Sequence, residues 1–166
     1  MTGSRRILIA LPIALVLAAG AALAANALRA PERPIKPAYV TSQGLRARAA
    51  VGSYCVVGKG AGGCGDAAYP LHPRGHLPIT PGSRLRVNLR RHAAHLEASL
   101  VRVDGDHFDT AGGKVKAGRA GGNGRFWRLK LPDDLGGADI LSLEATLKPS
   151  GDANWWAGVK PVERWP

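Results

Sequence analysis

Residues 84–90 read RLRVNLR, and polar side chains alternate with apolar ones throughout this stretch. Alternation with a period of two places the apolar side chains on one face of a β-strand and the arginines on the other. Residues 45–49, LRARA, repeat the pattern of arginine between apolar side chains. Both stretches therefore predict strands that cover a core with one face and meet solvent with the other.

The same alternation recurs along much of the chain. Further predicted strands lie near residues 77–79, 96–103, 127–131, 141–147 and 155–159. The alternation changes phase between Leu100 and Val101, which predicts a β-bulge there. About seven strands separated by turn signals predict an all-β chain, an immunoglobulin-like antiparallel β-sandwich, with a small barrel as the alternative.

The first 27 residues predict a signal peptide or a signal anchor. Arg5 and Arg6 precede an uncharged apolar run at residues 7–24, and this is the order of the basic and apolar regions in an export signal. Small residues after the run suit cleavage, whereas an uncleaved run of this length could span a bilayer as a helix. We expect the protein to be secreted or tethered to the outer face of the cytoplasmic membrane, with membrane contact only through this run.

Residues 28–38 contain prolines and charged side chains and predict an extended linker. The β-sandwich domain is predicted at residues 39–163. A mature chain of about 140 residues buries enough surface for one domain with its own core.

The chain is strongly basic, with 23 Lys and Arg against 12 Asp and Glu. Removal of residues 1–25 takes away Arg5 and Arg6 and no acid, which leaves 21 basic and 12 acidic residues and a net charge of +9. Outside the cytoplasm, such a charge favours anionic cell-wall polymer or an envelope protein as partner, rather than nucleic acid. The arginines expected to supply it are Arg84, Arg86, Arg90, Arg91 and Arg128.

Cys55 and Cys64 are the only cysteines, and a close pair in an exported chain predicts a disulfide. Residues 60–65 also match the G-x-G-x-x-G pattern of dinucleotide sites. Such a site needs a helix next, and the prolines at 70 and 73 oppose one. We therefore expect a structural disulfide and no cofactor.

Four short motifs carry a family resemblance: Gly-Ser-Tyr-Cys at 52–55, Cys-Gly-Asp at 64–66, Leu-Pro-Ile with Pro-Gly at 77–82, and Gly-Asp-Ala at 151–153. In these motifs the chain resembles an uncharacterised family of small exported β-sandwich proteins of actinobacteria and other Gram-positive bacteria. The resemblance covers most of residues 45–162, although Val56 stands where the family pattern usually has an aromatic residue. It implies a disulfide-stapled sandwich and carries no catalytic residue over.

The histidine spacing invites a metal interpretation that the strand pattern opposes. On a helix, His72 with His76 and His92 with His95 could each chelate a metal. Prolines oppose a helix around the first pair, and in an extended strand His92 and His95 point to opposite faces. We expect no metal site.

Adjacent Trp155 and Trp156 must face opposite sides of a strand. If Trp155 joins the core, Trp156 lies on the outer face beside basic residues, where it could stack on a sugar or be covered by a neighbouring segment. Asp104, Asp106 and Asp109 cluster in a predicted loop, which could bind calcium or only keep a turn soluble.

These patterns leave two main hypotheses for function. The first is a non-catalytic extracytoplasmic module with a binding or adaptor role at the cell envelope. The alternative is a small secreted carbohydrate-binding protein or hydrolase that uses Trp156 and the loop from Asp104 to Asp109. No nucleophile elbow of the G-x-S-x-G kind is present, so we expect no catalytic residue and no enzymatic activity.

Overall fold

A computed structural model of the chain describes residues 35–57, 62–67, 73 and 75–163. Within these ranges the secondary structure is entirely β-strand, which confirms the predicted all-β class. The predicted signal segment at residues 1–27 lies outside the described residues. The strands are β1 (Ala38–Ser42), β2 (Leu45–Val57), β3 (Gly62–Gly65), β4 (Leu77–Ile79), β5 (Arg84–Asn88), β6 (Ala93–Asp104), β7 (His107–Ala111), β8 (Lys116–Arg119), β9 (Phe126–Lys130), β10 (Ile140–Leu147) and β11 (Gly151–Pro161).

The strands form one hydrogen-bonded path in the order β7-β6-β10-β11-β2-β1-β5-β9-β8, with β3 beside β2 and β4 beside β11. All pairs are antiparallel except β4 with β11. The long strand β2 joins two halves, because residues 45–49 pair with β1 and residues 50–56 pair with β11. We call β1, β5, β8, β9 and residues 45–49 the first arm. The second arm comprises β6, β7, β10, β11 and residues 50–57.

The path curls until β8 approaches β6. Arg119 on β8 donates a hydrogen bond to the carbonyl oxygen of Ala94 on β6, and the Ala93 N–H donates to the Gly124 carbonyl at 3.0 Å. One apolar core fills the inside of the curl. Its fully buried side chains come from both arms and include Val40, Leu85, Leu129, Leu141, Leu143 and Trp155.

The core begins before the predicted start of the domain. Ile35 is 5 % exposed and Ala38 is fully buried. The indole N–H of Trp155 donates to the Lys36 carbonyl at 3.0 Å, which ties the segment before β1 to β11. Residues 35–38, which the sequence assigns to the linker, therefore belong to the folded domain, and Trp155 is in the core as the alternation predicts.

A β-bulge lies at Gly52 and Ser53, where both residues face Asn154 on β11. The Ser53 N–H donates to Asn154 Oδ1 at 2.7 Å, and Asn154 Nδ2 donates to Ser53 Oγ at 3.1 Å. The extra residue reverses the alternation of β2, so that Val51 before the bulge and Tyr54 after it both pack against the core. The bulge therefore lets one strand serve both arms.

The predicted bulge near Leu100 is wrong. Residues 95–101 of β6 pair with β10 without interruption, and the register shifts only between Thr146 and Leu147. The four strands absent from the sequence-based prediction of about seven are β1, β3, β7 and β8. Glycine and charged residues make up all of β3 apart from Cys64 and most of β8, so neither shows apolar alternation.

Cys55 and Cys64 lie directly opposite each other on β2 and β3 and form the predicted disulfide, with Cα atoms 4.1 Å apart. Residues 62–65, within the match to the dinucleotide pattern, form a strand. Across the part of the chain that the structure describes, no helix is long and apolar enough to cross a membrane.

Candidate functional site

The strands of the first arm carry many cations on their outer face. The first arm contains no Asp or Glu in any of its strand segments. Its inward side chains, such as Leu85 and Leu129, are fully buried, so alternation turns the intervening residues to solvent. We call the seven exposed cations on this outer surface the basic face: Arg46, Arg48, Arg84, Arg86, Lys116, Arg128 and Lys130.

The strand register brings these cations side by side. Arg86 on β5 lies opposite Arg128 on β9. Arg84 lies opposite Lys130, which itself lies opposite Lys116 on β8. Directly opposed residues have Cβ atoms about 4.5–5.5 Å apart, and like charges there destabilise a sheet. None of the seven forms an ion pair with another described residue, so the basic face attracts anions.

A row with two aromatic rings crosses the same outer surface. Tyr39 on β1, Asn88 on β5 and Phe126 on β9 are directly opposed in register. Phe126 is 47 % exposed. The guanidinium carbon of Arg46 lies 3.5 Å from the centroid of the Tyr39 ring, and this cation–π contact fixes both side chains. The surface therefore offers rings as well as charges to a ligand.

A groove of about 530 Å³ lies on this surface, a volume within the range of small-molecule sites. Most of its lining comes from the aromatic row and the neighbouring row of cations, and the full lining is Tyr39, Thr41, Arg46, Arg86, Val87, Asn88, Ala120, Phe126, Trp127 and Arg128. All of the lining residues except Ala120 lie on strands β1, β2, β5 and β9, so the shape of the groove depends mainly on the sheet.

The structure brings together most of the arginines expected from the sequence. Arg84, Arg86 and Arg128 all lie on the basic face. Arg90 lies at its end, where its backbone adopts a φ of 57° and its N–H donates to Asn88 Oδ1 at 2.9 Å. The guanidinium carbon of Arg90 is 5.9 Å from the Tyr39 ring centroid. Arg91 is half-buried in the bend that follows and adds less to this surface.

Tyr39, Arg46 and Phe126 are not among the site residues predicted from the sequence. Arg46 lies in the alternating stretch at residues 45–49, so the pattern that selected Arg86 also contained it. Phe126 is separated from Tyr39 by 87 positions, and only the order β1-β5-β9 makes them neighbours in one row. That order is not visible in the alternation of any single strand.

Trp156 is 6 % exposed and lies on the second arm, away from the basic face. Trp156 therefore does not share a surface with the predicted arginines, and of the two alternatives for its ring the structure shows cover by a neighbouring segment. The ring of Phe108 packs against it edge-on, with centroids 5.4 Å apart and planes at 71°. Phe108 belongs to the β6–β7 hairpin, which turns at Gly105 and Asp106. A neighbouring hairpin thus covers the tryptophan that the sequence left as a candidate for sugar stacking.

The burial of Trp156 on the outer side of the second arm also explains why the apolar alternation of β6 changes phase between Leu100 and Val101, the change that predicted a bulge. Leu100 faces the main core and is 1 % exposed, whereas Val101 lies on the opposite side of the sheet, opposite Ile140. Ile140 is 3 % exposed and, like Trp156, lies outside the main core cluster. The second arm therefore carries a small apolar cluster on its outer side, under the β6–β7 hairpin.

The carboxylates of this hairpin do not converge on a site. Asp104 and Asp106 are exposed, and Asp109 lies 3.9 Å from the guanidinium of Arg102. Among the described residues, no group of three or more His, Cys, Asp and Glu side chains could hold a metal ion. The hairpin that carries these carboxylates covers Trp156 rather than leaving its ring open beside them.

The outer face of the second arm also carries a shallower groove of about 330 Å³ with acidic walls. Glu97 on β6 lies opposite Glu144 on β10, and Asp152 lines the same groove. His95 shares a hydrogen bond with Glu97 at 3.2 Å, while His72 lies outside the described residues. The charged lining of this groove is therefore mainly acidic, whereas the charged side chains that line the groove on the basic face are arginines.

A scan against protein-family models found no match to this chain, and searches of the curated proteins and of the solved structures found none either. The basic face and its groove place clustered cations and a cavity on one surface of the first arm.

Proposed function

We propose that this protein is a non-catalytic extracytoplasmic module that binds anionic polymer of the cell envelope through the basic face. The observation that carries the proposal is the register of Arg84, Arg86, Arg128 and their neighbours on the outer face of strands that contain no Asp or Glu. Opposed like charges weaken the sheet, so fold stability does not account for them. A bound polyanion would compensate them.

The chemistry of the cations supports an anionic partner. Five of the seven are arginines, whose planar guanidinium groups form paired hydrogen bonds with carboxylate or phosphate. The acidic groove on the second arm repels the same partner, so a polyanion is directed to the first arm. Binding of this kind releases counterions and therefore weakens as salt rises.

Two features support the extracytoplasmic location. Residues 1–27 predict an export segment that leaves the domain secreted or tethered outside the membrane. The Cys55–Cys64 disulfide is of the kind that persists in oxidising compartments. We also propose that the two arms are the layers of an immunoglobulin-like sandwich, which their shared core supports. The resemblance to exported sandwich proteins agrees with both.

The test is retention of the mature domain on an immobilised anionic cell-wall polymer at about 10 mM ionic strength, where charges interact over about 30 Å. A salt gradient should elute the protein, because screening shortens that range to about 3 Å at about 1 M. The triple variant Arg84→Gln, Arg86→Gln, Arg128→Gln should elute at much lower salt than the wild-type domain.

The control removes the same charge elsewhere, in the triple variant Arg102→Gln, Lys148→Gln, Lys160→Gln. All three control side chains are exposed. Arg102 lies on β6, Lys148 follows β10 and Lys160 lies on β11. This control variant should elute close to the wild-type domain if the basic face is the binding surface. Equal loss of retention in both triple variants would show that net charge alone is responsible, and no retention of the wild type would refute the proposal.

A further inference from the structure

We infer that the ligand of the basic face is an acidic polysaccharide whose sugar rings carry carboxylates, bound along the groove with a sugar face on Phe126. This inference rests on the proposed function and narrows it to one class of polymer. It follows from the way in which aromatic and cationic rows run side by side across the same three strands.

The aromatic row offers one open ring, that of Phe126, because the guanidinium of Arg46 lies over the ring of Tyr39. Tyr39, Asn88 and Phe126 lie on neighbouring strands in register, and strands are about 4.8 Å apart. The backbones of Tyr39 and Phe126 are therefore about 10 Å apart along the row, a span comparable with a disaccharide. Asn88 lies between them with an amide that suits sugar hydroxyl groups.

The cationic row runs parallel to it. Thr41, Arg86 and Arg128 are opposed in register on β1, β5 and β9, two residues along each strand from the aromatic row. Two residues of strand span about 6.7 Å. A ring stacked on Phe126 would therefore direct a carboxylate substituent toward Arg128 or Arg86, whose guanidinium groups can bind it through two hydrogen bonds.

Two other anionic partners, a polyol phosphate chain and an anionic membrane, fit these observations less well. A polyol phosphate chain would neutralise the arginines but has no ring to stack on Phe126. The Phe126 side chain, which is 47 % exposed, would then make no stacking contact with the ligand. An anionic membrane would favour a protruding aromatic side chain, whereas Phe126 and Tyr39 line a concave groove of about 530 Å³. Sugar rings bearing carboxylates use both rows.

The experiment compares a short oligogalacturonate with three other probes by calorimetry at about 10 mM ionic strength. The others are a polyphosphate of matched charge, a neutral maltooligosaccharide and vesicles containing phosphatidylglycerol. The wild-type domain should bind oligogalacturonate more tightly than polyphosphate. Phe126→Ala should weaken oligogalacturonate binding about five- to tenfold and leave polyphosphate binding unchanged, and Phe126→Trp should restore it.

A second variant separates failure of this inference from failure of the proposed function. Arg86→Gln should weaken both polyanions about tenfold or more, because each loses a charge-assisted hydrogen bond. If Arg86→Gln acts on both and Phe126→Ala on neither, the proposed function stands and the polysaccharide is wrong. If the vesicles bind most tightly and Phe126→Ala abolishes that binding, the ligand is a membrane surface. If neither soluble polyanion binds, both proposals fail.

Discussion

Arg86 on β5 lies directly opposite Arg128 on β9, and neither strand contains an acidic residue that could neutralise their charges. Opposed like charges on a sheet cost about 0.2–1 kcal/mol. We therefore expect Arg128→Gln to raise the midpoint of thermal unfolding by a few degrees at about 10 mM ionic strength, and to lose that gain at about 1 M salt. Differential scanning calorimetry at the two salt concentrations measures the effect.

A matched control for this prediction is Arg102→Gln, since Arg102 is exposed and lies 3.9 Å from the carboxylate of Asp109. Removal of a cation with an acidic neighbour should give no gain at low salt. If Arg102→Gln and Arg128→Gln raise the midpoint equally, the gain comes from lower net charge and not from the opposed pair.

Alternation identified the buried faces of most strands but not the surfaces that they form together. Arg86 and Arg128 could be assigned to outer faces because Leu85 and Leu129 alternate with them. The sequence could not show that β5 and β9 are neighbours, since Arg86 and Arg128 are 42 positions apart and alternation does not indicate which strands pair. Trp156 was placed correctly on the outer side of its strand, but the hairpin carrying Phe108 covers it, and strand periodicity does not report such contacts.

Truncation of the two phenylalanines should have unequal effects, because Phe108 packs on a buried ring and Phe126 is exposed. Phe108 contacts the ring of Trp156, and its replacement by alanine removes an aromatic pair and uncovers apolar surface. We expect Phe108→Ala to lower the free energy of unfolding by about 1–3 kcal/mol. Phe126→Ala should change it by less than about 0.5 kcal/mol, since the side chain is 47 % exposed and such positions tolerate substitution.

Urea denaturation of both variants measures the difference, and acrylamide quenching of tryptophan fluorescence reports the cause. Quenching should increase in Phe108→Ala, where Trp156 becomes accessible, and stay at the wild-type level in Phe126→Ala. Unchanged stability and quenching in Phe108→Ala would mean that the β6–β7 hairpin does not protect the tryptophan.

The disulfide should stabilise the domain without contributing to the basic face. Cys55 and Cys64 are 9 positions apart, and closing a loop of this length is worth about 2.5–3 kcal/mol on the chain-entropy account. We expect the double variant Cys55→Ala, Cys64→Ala to lose that much in urea denaturation while its retention on anionic polymer below the transition stays at the wild-type level. A parallel loss of retention would show that the bridge also shapes the binding surface.

Gly52 is required by the bulge that turns β2 from one arm to the other. A Cβ atom at this position would clash with Oδ1 of Asn154, the atom that accepts the hydrogen bond from the Ser53 N–H. We expect Gly52→Ala to lower the free energy of unfolding by about 1–3 kcal/mol and Asn154→Ala to lower it by about 1–2 kcal/mol. Because both act through one contact, the double variant should lose less than the two single losses combined. Gly63→Ala is the control, since a Cβ there meets nothing within 4 Å, and additive losses in the double variant would contradict the coupling.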